Sequence, residues 1–530
     1  MNQFDVVRGL VRPYAWPLVA FMLLLFVLVP LTVSSVTFYY GQKLSSLSKG
    51  APAHWSSSHL PLLGSALPFF QRRRGMFMEG RGSSATGNFS FFVGRKHIVS
   101  LGGLDGRKTF FESKNLSVSQ GAIELLAGLV STNDDREDYG AQDFIKSFLT
   151  LTRPEILARK LPVLTDDIRD FSQRLSLAPA RQWRVINPFE TVYPLMFKLI
   201  LRVVGVSEWL EDAKTLDRAL WAFCGFESNC SRTRIVFPSL ITLTHAKKLF
   251  FGAVLYMAIE KVVKQRKAGK RRDDALQFLL DQNKDVVRFL FSVLMSGITT
   301  QGCTASWLTV FLAHSPAWQA LCRAEVDAVV AKHRANPSQS ADDVLEGLSL
   351  QTWESEFPVT IASFRETIRL AMPGAMFRKN ASGAAIPIGD TGEVVPDGAY
   401  ASFHLDNVHM DSALYPDPAT FNPGRYLTPE VNGGSYEDLN LKQEEPHTYV
   451  GWGSGRHLCP GMRLAKWETT MVVSRLLTNF DLEPSDRNGS EVQVPFPGPD
   501  RNGYRLDKPK VPIFIRYKAR DVNVGGSLGE

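Results

Sequence analysis

Two stretches of this chain contain no Asp, Glu, Lys or Arg, residues 13–42 and residues 289–322. A charge-free run of that length has two stable settings, a lipid bilayer or the centre of a large protein core. In the first run Leu18 to Val36 is almost wholly apolar, long enough to cross a bilayer as a helix. Tyr14 and Trp16 at one end, and Phe38, Tyr39 and Tyr40 at the other, fall where amphipathic rings favour the headgroup level. A cleaved signal peptide is the competing reading, but this run exceeds the usual apolar region of about 7–15 residues. Residues 1–45 therefore read as a membrane anchor. Charge does not orient it, because Arg8 and Arg12 precede the span and Lys43 and Lys49 follow it.

The second run is interrupted at its middle by Ser296-Gly297-Ile298-Thr299-Thr300-Gln301-Gly302, a patch of glycines, hydroxyls and an amide. That pattern suits a long core helix lining a polar or cofactor-facing groove better than a span in lipid, and it predicts interruption by a pocket there. Between anchor and body, residues 46–75 are Ser-rich and then Pro- and Gly-punctuated, with Pro61, Gly64 and Pro68 imposing a stiff connection. The remaining residues 76–530 are expected to form a single catalytic domain. Its pattern is helical from Ser119 to Leu370, then short strands and turns from Pro373 to Pro423, then a helix after the last cysteine. The fold class is mainly α with a minor β portion. A net charge of +7 without a dominant basic block argues against nucleic acid as a partner. Five cysteines without a CxxC pair argue against a disulfide framework or a zinc ribbon and favour a reducing compartment.

The chemistry concentrates around Cys459. In Tyr449-Val-Gly-Trp-Gly-Ser-Gly-Arg-His-Leu-Cys459-Pro-Gly461, Gly453, Gly455 and Gly461 permit backbone shapes that side chains block, as a loop aiming amide N–H groups at a sulfur requires. A thiolate held in this way is a soft metal ligand, and the helix that follows adds the positive end of its dipole. Cys224, Cys230, Cys303 and Cys322 lack such a setting and read as small buried hydrophobes. Glu366 and Arg369 stand three residues apart on one helix face, a spacing that alone describes many solvated surface pairs. Arg425, in Pro423-Gly-Arg-Tyr426, is a third group able to share the Glu366 carboxylate.

These residues together resemble the cytochrome P450 family of haem-thiolate monooxygenases, over nearly the whole chain. Trp452 to Gly461 resembles the family's cysteine loop, Glu366-Thr-Ile-Arg369 its ExxR helix and Phe421-Asn-Pro-Gly-Arg425-Tyr its PERF segment, in the family's order. The anchor with its Pro-Gly-Pro hinge resembles endoplasmic-reticulum members. The resemblance implies a haem b bound through Cys459 as the metal ligand, with His457 and Arg378 reaching its propionates. It implies a buried supporting network of Glu366, Arg369 and Arg425. Registered without a gap on Trp307 and Pro316, the second charge-free run places Thr300 at the oxygen-activating hydroxyl and Gly297 where the helix stays open near the iron. Thr299 falls where the family usually has an acid. Implied partners are an NADPH-cytochrome P450 reductase supplying electrons, membrane lipid and a hydrophobic small-molecule substrate.

Three departures from the family pattern bear on function. A threonine passes a proton but cannot store one, so Thr299 leaves proton supply to water chains, or diverts the chemistry toward rearrangement or dehydration. Trp452 replaces the usual Phe of the cysteine loop, and no WxxxR pair marks an early helix, leaving one propionate partner unassigned. Three functions follow: a monooxygenase, in the style of fungal secondary metabolism of terpenoid, steroid-like or polyketide compounds; a haem-thiolate isomerase or dehydratase; and a membrane haem protein without turnover. Five Asn-x-Ser sequons, at Asn88, Asn115, Asn229, Asn380 and Asn488, would stay unused on a cytosolic body anchored by a single pass in the endoplasmic reticulum.

Overall fold

The computed structural model of the chain describes residues 47–57, 60, 63–126, 136–176, 182–428, 439–443, 445–492, 498–503, 506 and 508–520, with 27, 28, 31 and 32. The expected anchor lies outside the described residues except for those four, which are helical and exposed. Within the expected connection, the Trp55 N–H donates to Ser90 O at 2.8 Å, and Ala66–Gln71 is a helix. The boundary placed between residues 75 and 76 falls inside a further helix, Arg73–Gly82, whose Met76 and Phe77 are buried. Trp55, Phe69, Phe77, Phe89 and Phe91 share a small second core, so this segment is packed against the body.

Helices carry most of the body: α1 (Gly103–Glu112), α2 (Pro154–Ser176), α3 (Pro188–Val204), α4 (Ala213–Ser228), α5 (Leu243–Lys267), α6 (Thr299–Ala313), α7 (Pro316–His333), α8 (Pro358–Ala371) and α9 (Met462–Asn479). Local chemistry sets their ends. Asn187 accepts the Phe189 N–H at 3.0 Å to start α3, with Pro188 in the first turn where a missing N–H costs nothing. Gly205 ends α3 at φ +81°, and a Cβ there would stand 3.0 Å from Ala275 N. The strands of the two larger sheets are β1 (Phe89–Val93), β2 (Lys96–Ser100), β3 (Leu116–Ser117), β4 (Arg184–Ile186), β5 (Ala375–Asn380), β6 (Tyr400–His404), β7 (Phe480–Ser485) and β8 (Phe514–Ala519). They form a five-stranded sheet ordered β1-β2-β6-β5-β3, in which only β2 and β6 run parallel, and an antiparallel sheet ordered β7-β8-β4.

The second charge-free run is a helix through the core. Val286–Ala313 spans 28 residues with mean hydropathy 1.3, and every residue from Gln301 to Ala313 is buried. A helix apolar all round that is enclosed by protein belongs to a core rather than a membrane. Its α-geometry breaks at Leu294–Ile298, which forms a π-turn overlapping the start of the polar patch. Beyond that turn α6 packs most closely on α3, where Trp307 meets Phe189 edge-on at 5.2 Å. Gly302 makes this approach possible, because a Cβ there would lie 2.6 Å from the Tyr193 ring.

Candidate active site

The cysteine loop enters from His447 and leaves into α9. Gly453 adopts φ +74° with its missing Cβ 2.5 Å from His457 O, and Gly455 adopts φ +60° with its missing Cβ 2.7 Å from Phe111 O. Both positions exclude a side chain on space and on conformation. Gly461 differs: its φ is −87°, and a Cβ would meet the Cys459 sulfur at 3.8 Å in ordinary contact. The Cys459 N–H donates to Trp452 O at 2.8 Å, closing the loop. Burial pushes the Cys459 thiol up, while the backbone N–H groups of Gly461 and Met462 pull it down by donating to the sulfur. The first turn of α9 starts at Met462, which directs its positive end at the same atom. His447, which sequence reasoning missed, fixes the loop from outside. Its Nδ1 meets Ser454 Oγ at 2.6 Å, its Nε2 meets Glu112 Oε1 at 3.0 Å, and its ring stacks on Phe111.

Glu366, Arg369 and Arg425 do meet. Arg369 donates from Nη2 to Glu366 Oε1 at 2.7 Å and from Nε to Oε2 at 2.8 Å, with neither side chain exposed. Arg425 Nε reaches Oε1 at 3.3 Å, joined there by the Asn422 N–H at 3.0 Å, while the Tyr426 hydroxyl donates to Oε2 at 3.3 Å. Burial opposes the Arg369 charge, but the Glu366 hydrogen bonds and field outweigh it and raise its pKa. The remaining Arg369 donors hold the backbone oxygens of His409 and Pro418, at 2.5 and 2.7 Å. The network thus pins the segment before Arg425 onto α8. Arg365, absent from the sequence reading, is sandwiched between the Tyr426 and Tyr449 rings at 4.6 and 4.9 Å, tying the same helix to the start of the cysteine loop.

Arg378, on β5, is only 3% exposed, and its guanidinium donates to Phe110 O and lies over the faces of Phe110 and Phe111. Among the described residues no carboxylate faces it, and burial alone lowers its pKa to about 10. The His457 ring is held below its ordinary value first by burial and then by the nearby Arg378 and Arg456 charges. A buried guanidinium and a neutral imidazole donor therefore converge where the protein supplies no anion. A buried charge is ordinarily paired, so this cluster fits an anionic group brought by a cofactor. With a sulfur carrying two backbone donors on the same loop as His457, the donor set fits an iron porphyrin with propionate arms.

On the core helix Thr299 is buried, while Thr300 is half-buried and no hydrogen bond occupies its hydroxyl among the described residues. Gly297 is not required by its protein neighbours, since a Cβ there would meet only Ile200 Cδ1, at 3.5 Å. One turn on, Gln301 donates from its amide to Glu468 Oε2 of α9, a fully enclosed carboxylic acid. Burial pushes Glu468 up to about 8 against the opposing effect of that bond. Nothing in the sequence marks this contact, whose partners are 167 residues apart.

A cysteine sulfur cradled by backbone donors, beside a buried guanidinium with no protein anion, is what an oxidoreductase of the haem-thiolate class presents to its cofactor. The cytochrome P450 family model matches residues 61–498, and the chain belongs to that family. It is similar to the cytochrome P450 monooxygenase AacuE of Aspergillus aculeatus, 29% identical over 81% of this chain and 86% of that protein. It is likewise similar to the monooxygenase dmxR5 of a Cryptosporiopsis species, 28% identical over 83% and 85% of the two chains. A shorter match, 29% identical over 47% of this chain and 48% of the relative, is to a porcine 5-beta-cholestane-3-alpha,7-alpha-diol 12-alpha-hydroxylase. The chain is a monooxygenase that works with haem iron and electrons from a redox partner.

Proposed function

We propose that this chain is a single-pass monooxygenase of the endoplasmic reticulum, with its body in the cytosol, that hydroxylates a lipophilic small molecule in fungal secondary metabolism. The substrate class we assign is terpenoid, steroid-like or polyketide. The observation that carries the assignment is the Cys459 sulfur between the Gly461 and Met462 N–H groups, with the unmatched charge of Arg378 and the neutral His457 imidazole nearby. Fungal relatives support the metabolic setting, and a relative named for a cholestane diol supports a rigid, lipophilic substrate.

In this reading Cys459 holds the iron of haem b, and Arg378 and His457 hold its propionates. The haem supplies the activation of O2. One oxygen atom enters the substrate and the other leaves as water, consuming two protons and two electrons that originate on NADPH and arrive through its reductase. The protein residues then have three tasks. Glu366, Arg369 and Arg425 keep the segment before the cysteine loop in place. Thr300 presents a hydroxyl that hands on a proton, and Gly297 leaves the adjoining helix surface low. Thr299 carries no ionisable proton, so water must recharge Thr300 directly. The exposed Arg456 on the loop gives an acidic reductase face a place to dock.

The test is the optical spectrum of the dithionite-reduced, CO-bound protein, in the native chain and in Cys459→Ala. Thiolate ligation gives a strongly red-shifted Soret band that vanishes in the variant. An unshifted band in native protein overturns the assignment.

A further inference from the structure

A cavity of about 760 Å³ opens between α4, α5 and the turns flanking them, lined by residues between Glu208 and Ala222 and between Val254 and Arg272. No lining residue belongs to the cysteine loop, the core helix or α8. Its volume falls within the range of about 300–1,000 Å³ common to small-molecule sites. The cavity exists because the facing side chains of the two helices are short: Ala219 and Ala222 on α4 stand across from Ala258 on α5. Trp209 and Val262, each almost fully buried, and the 59% exposed Met257 complete an apolar floor.

The charges around that floor do not cancel. Three acids line the cavity, and each is already engaged. Glu208 pairs with Arg266 at 2.8 Å and with Arg272 at 3.5 Å, and Glu211 pairs with Arg272 at 2.6 Å. Asp212 caps α4, accepting the Lys214 and Thr215 N–H groups at 3.3 and 3.0 Å. Lys214, Arg218, Lys261 and Lys270 also line the cavity, all four are exposed, and among the described residues none touches a carboxylate. A run of surface cations is ordinarily a solvated face. Here the cations border a concave apolar floor contributed by two helices, which a solvated face does not need.

We propose that this cavity binds a lipophilic anion of small-molecule size, its apolar body on the Trp209–Ala222–Val262 floor and its head among Lys214, Arg218, Lys261 and Lys270. The occupant is a free amphiphile rather than a bilayer headgroup, because the cations border a concave pocket with an apolar floor instead of forming a flat basic plane. Such a site gives the enzyme a second place to hold a fatty or polycyclic acid, separate from the haem pocket.

The experiment uses the full, haem-loaded chain in zwitterionic nanodiscs, with its iron capped by an azole so that the haem pocket is closed. A diazirine-bearing palmitate is cross-linked by light, and the labelled peptides are mapped by mass spectrometry. Label on peptides covering residues 208–222 and 254–272, removed by excess palmitate, is the expected result. The double variant Arg218→Glu/Lys261→Glu lowers that labelling at least tenfold. Lys264→Glu, which alters a cation paired with Glu260 outside the cavity, leaves it within twofold. Ala258→Trp fills the floor and also abolishes labelling without changing charge. The CO-bound spectrum of each variant reports that the body has folded. Label elsewhere, equal labelling by the neutral diazirine alcohol, insensitivity to both cavity variants, or labelling confined to an anionic phospholipid analogue overturns the proposal.

Discussion

Replacing Glu366 with Gln keeps the shape of the side chain and removes its charge, leaving the Arg369 guanidinium buried with no anion. Both side chains are fully enclosed, and of the two charged hydrogen bonds of 2.7 and 2.8 Å one is lost and the other keeps only a neutral acceptor. Stripping one partner from a buried pair costs about 3–5 kcal/mol, because the survivor cannot recover its hydration. The upper part of that range applies, since the new amide NH2 would face donors from Arg369, Arg425 or Tyr426. Arg425→Gln should cost much less, about 1 kcal/mol: its side chain is 10% exposed and its bond to Glu366 is 3.3 Å long. Urea unfolding followed by tryptophan fluorescence on the haem-free body measures both, and the amplitude of the CO-bound band measures how much protein still takes up haem. The double variant Glu366→Gln/Arg369→Met removes both charges, so it should be less damaging than the sum of its parts. If Glu366→Gln lies within about 1 kcal/mol of native, or the two changes simply add, the network is not a buried ion pair in solution and the reasoning fails.

Three further outcomes are expected. Glu468 binds its proton in the folded chain up to about pH 8 but releases it near 4.5 when unfolded, so its contribution to stability is lost as pH rises through that window. Glu468→Gln should remove a slope of about 1.4 kcal/mol per pH unit there, and a native-minus-variant difference that is flat with pH would disprove the buried acid. Arg378→Met should leave the haem-free body as stable as native or more so, because it deletes an unmatched buried charge, yet weaken haem retention at least tenfold in transfer to apomyoglobin; equal retention would remove Arg378 from the cofactor site. Thr300→Ala should leave substrate affinity unchanged while reducing equivalents escape as hydrogen peroxide, a split that a packing role for this threonine would not produce.

The parts of the site legible in the sequence were those whose residues are adjacent or one helical turn apart. Gly453 and Gly455 could be read because backbone demand is local, and Glu366 with Arg369 because three residues span one turn. Gly461 differs from those two glycines: its dihedrals lie in a region open to any residue, and a Cβ would meet the Cys459 sulfur and the Phe148 ring only at ordinary contact, 3.8 Å. His447 and Glu468 were invisible because a bond between distant chain positions leaves no period behind. Pro61 and Pro68 bracketing Gly64 read as a stiff connection, not a helix. Here Pro68 is the third residue of Ala66–Gln71, within the first turn, where no N–H needs a partner. The missing counter-anion of Arg378 is a property of the folded environment, and no single-residue signal carries it.

The π-turn at Leu294–Ile298 fixes a rotational phase. One surplus residue per turn sets the segment Val286–Val293 about 100° around the axis from where an unbroken α-helix would carry it. Deleting a single residue from the turn would therefore do more than shorten the rod: Phe289 and Leu290, now buried, would swing off the core as Thr300 kept its place. Insertions and deletions in this stretch thus act as torsional changes, with the hydroxyl-bearing half as the stator and the half before it as the part that turns.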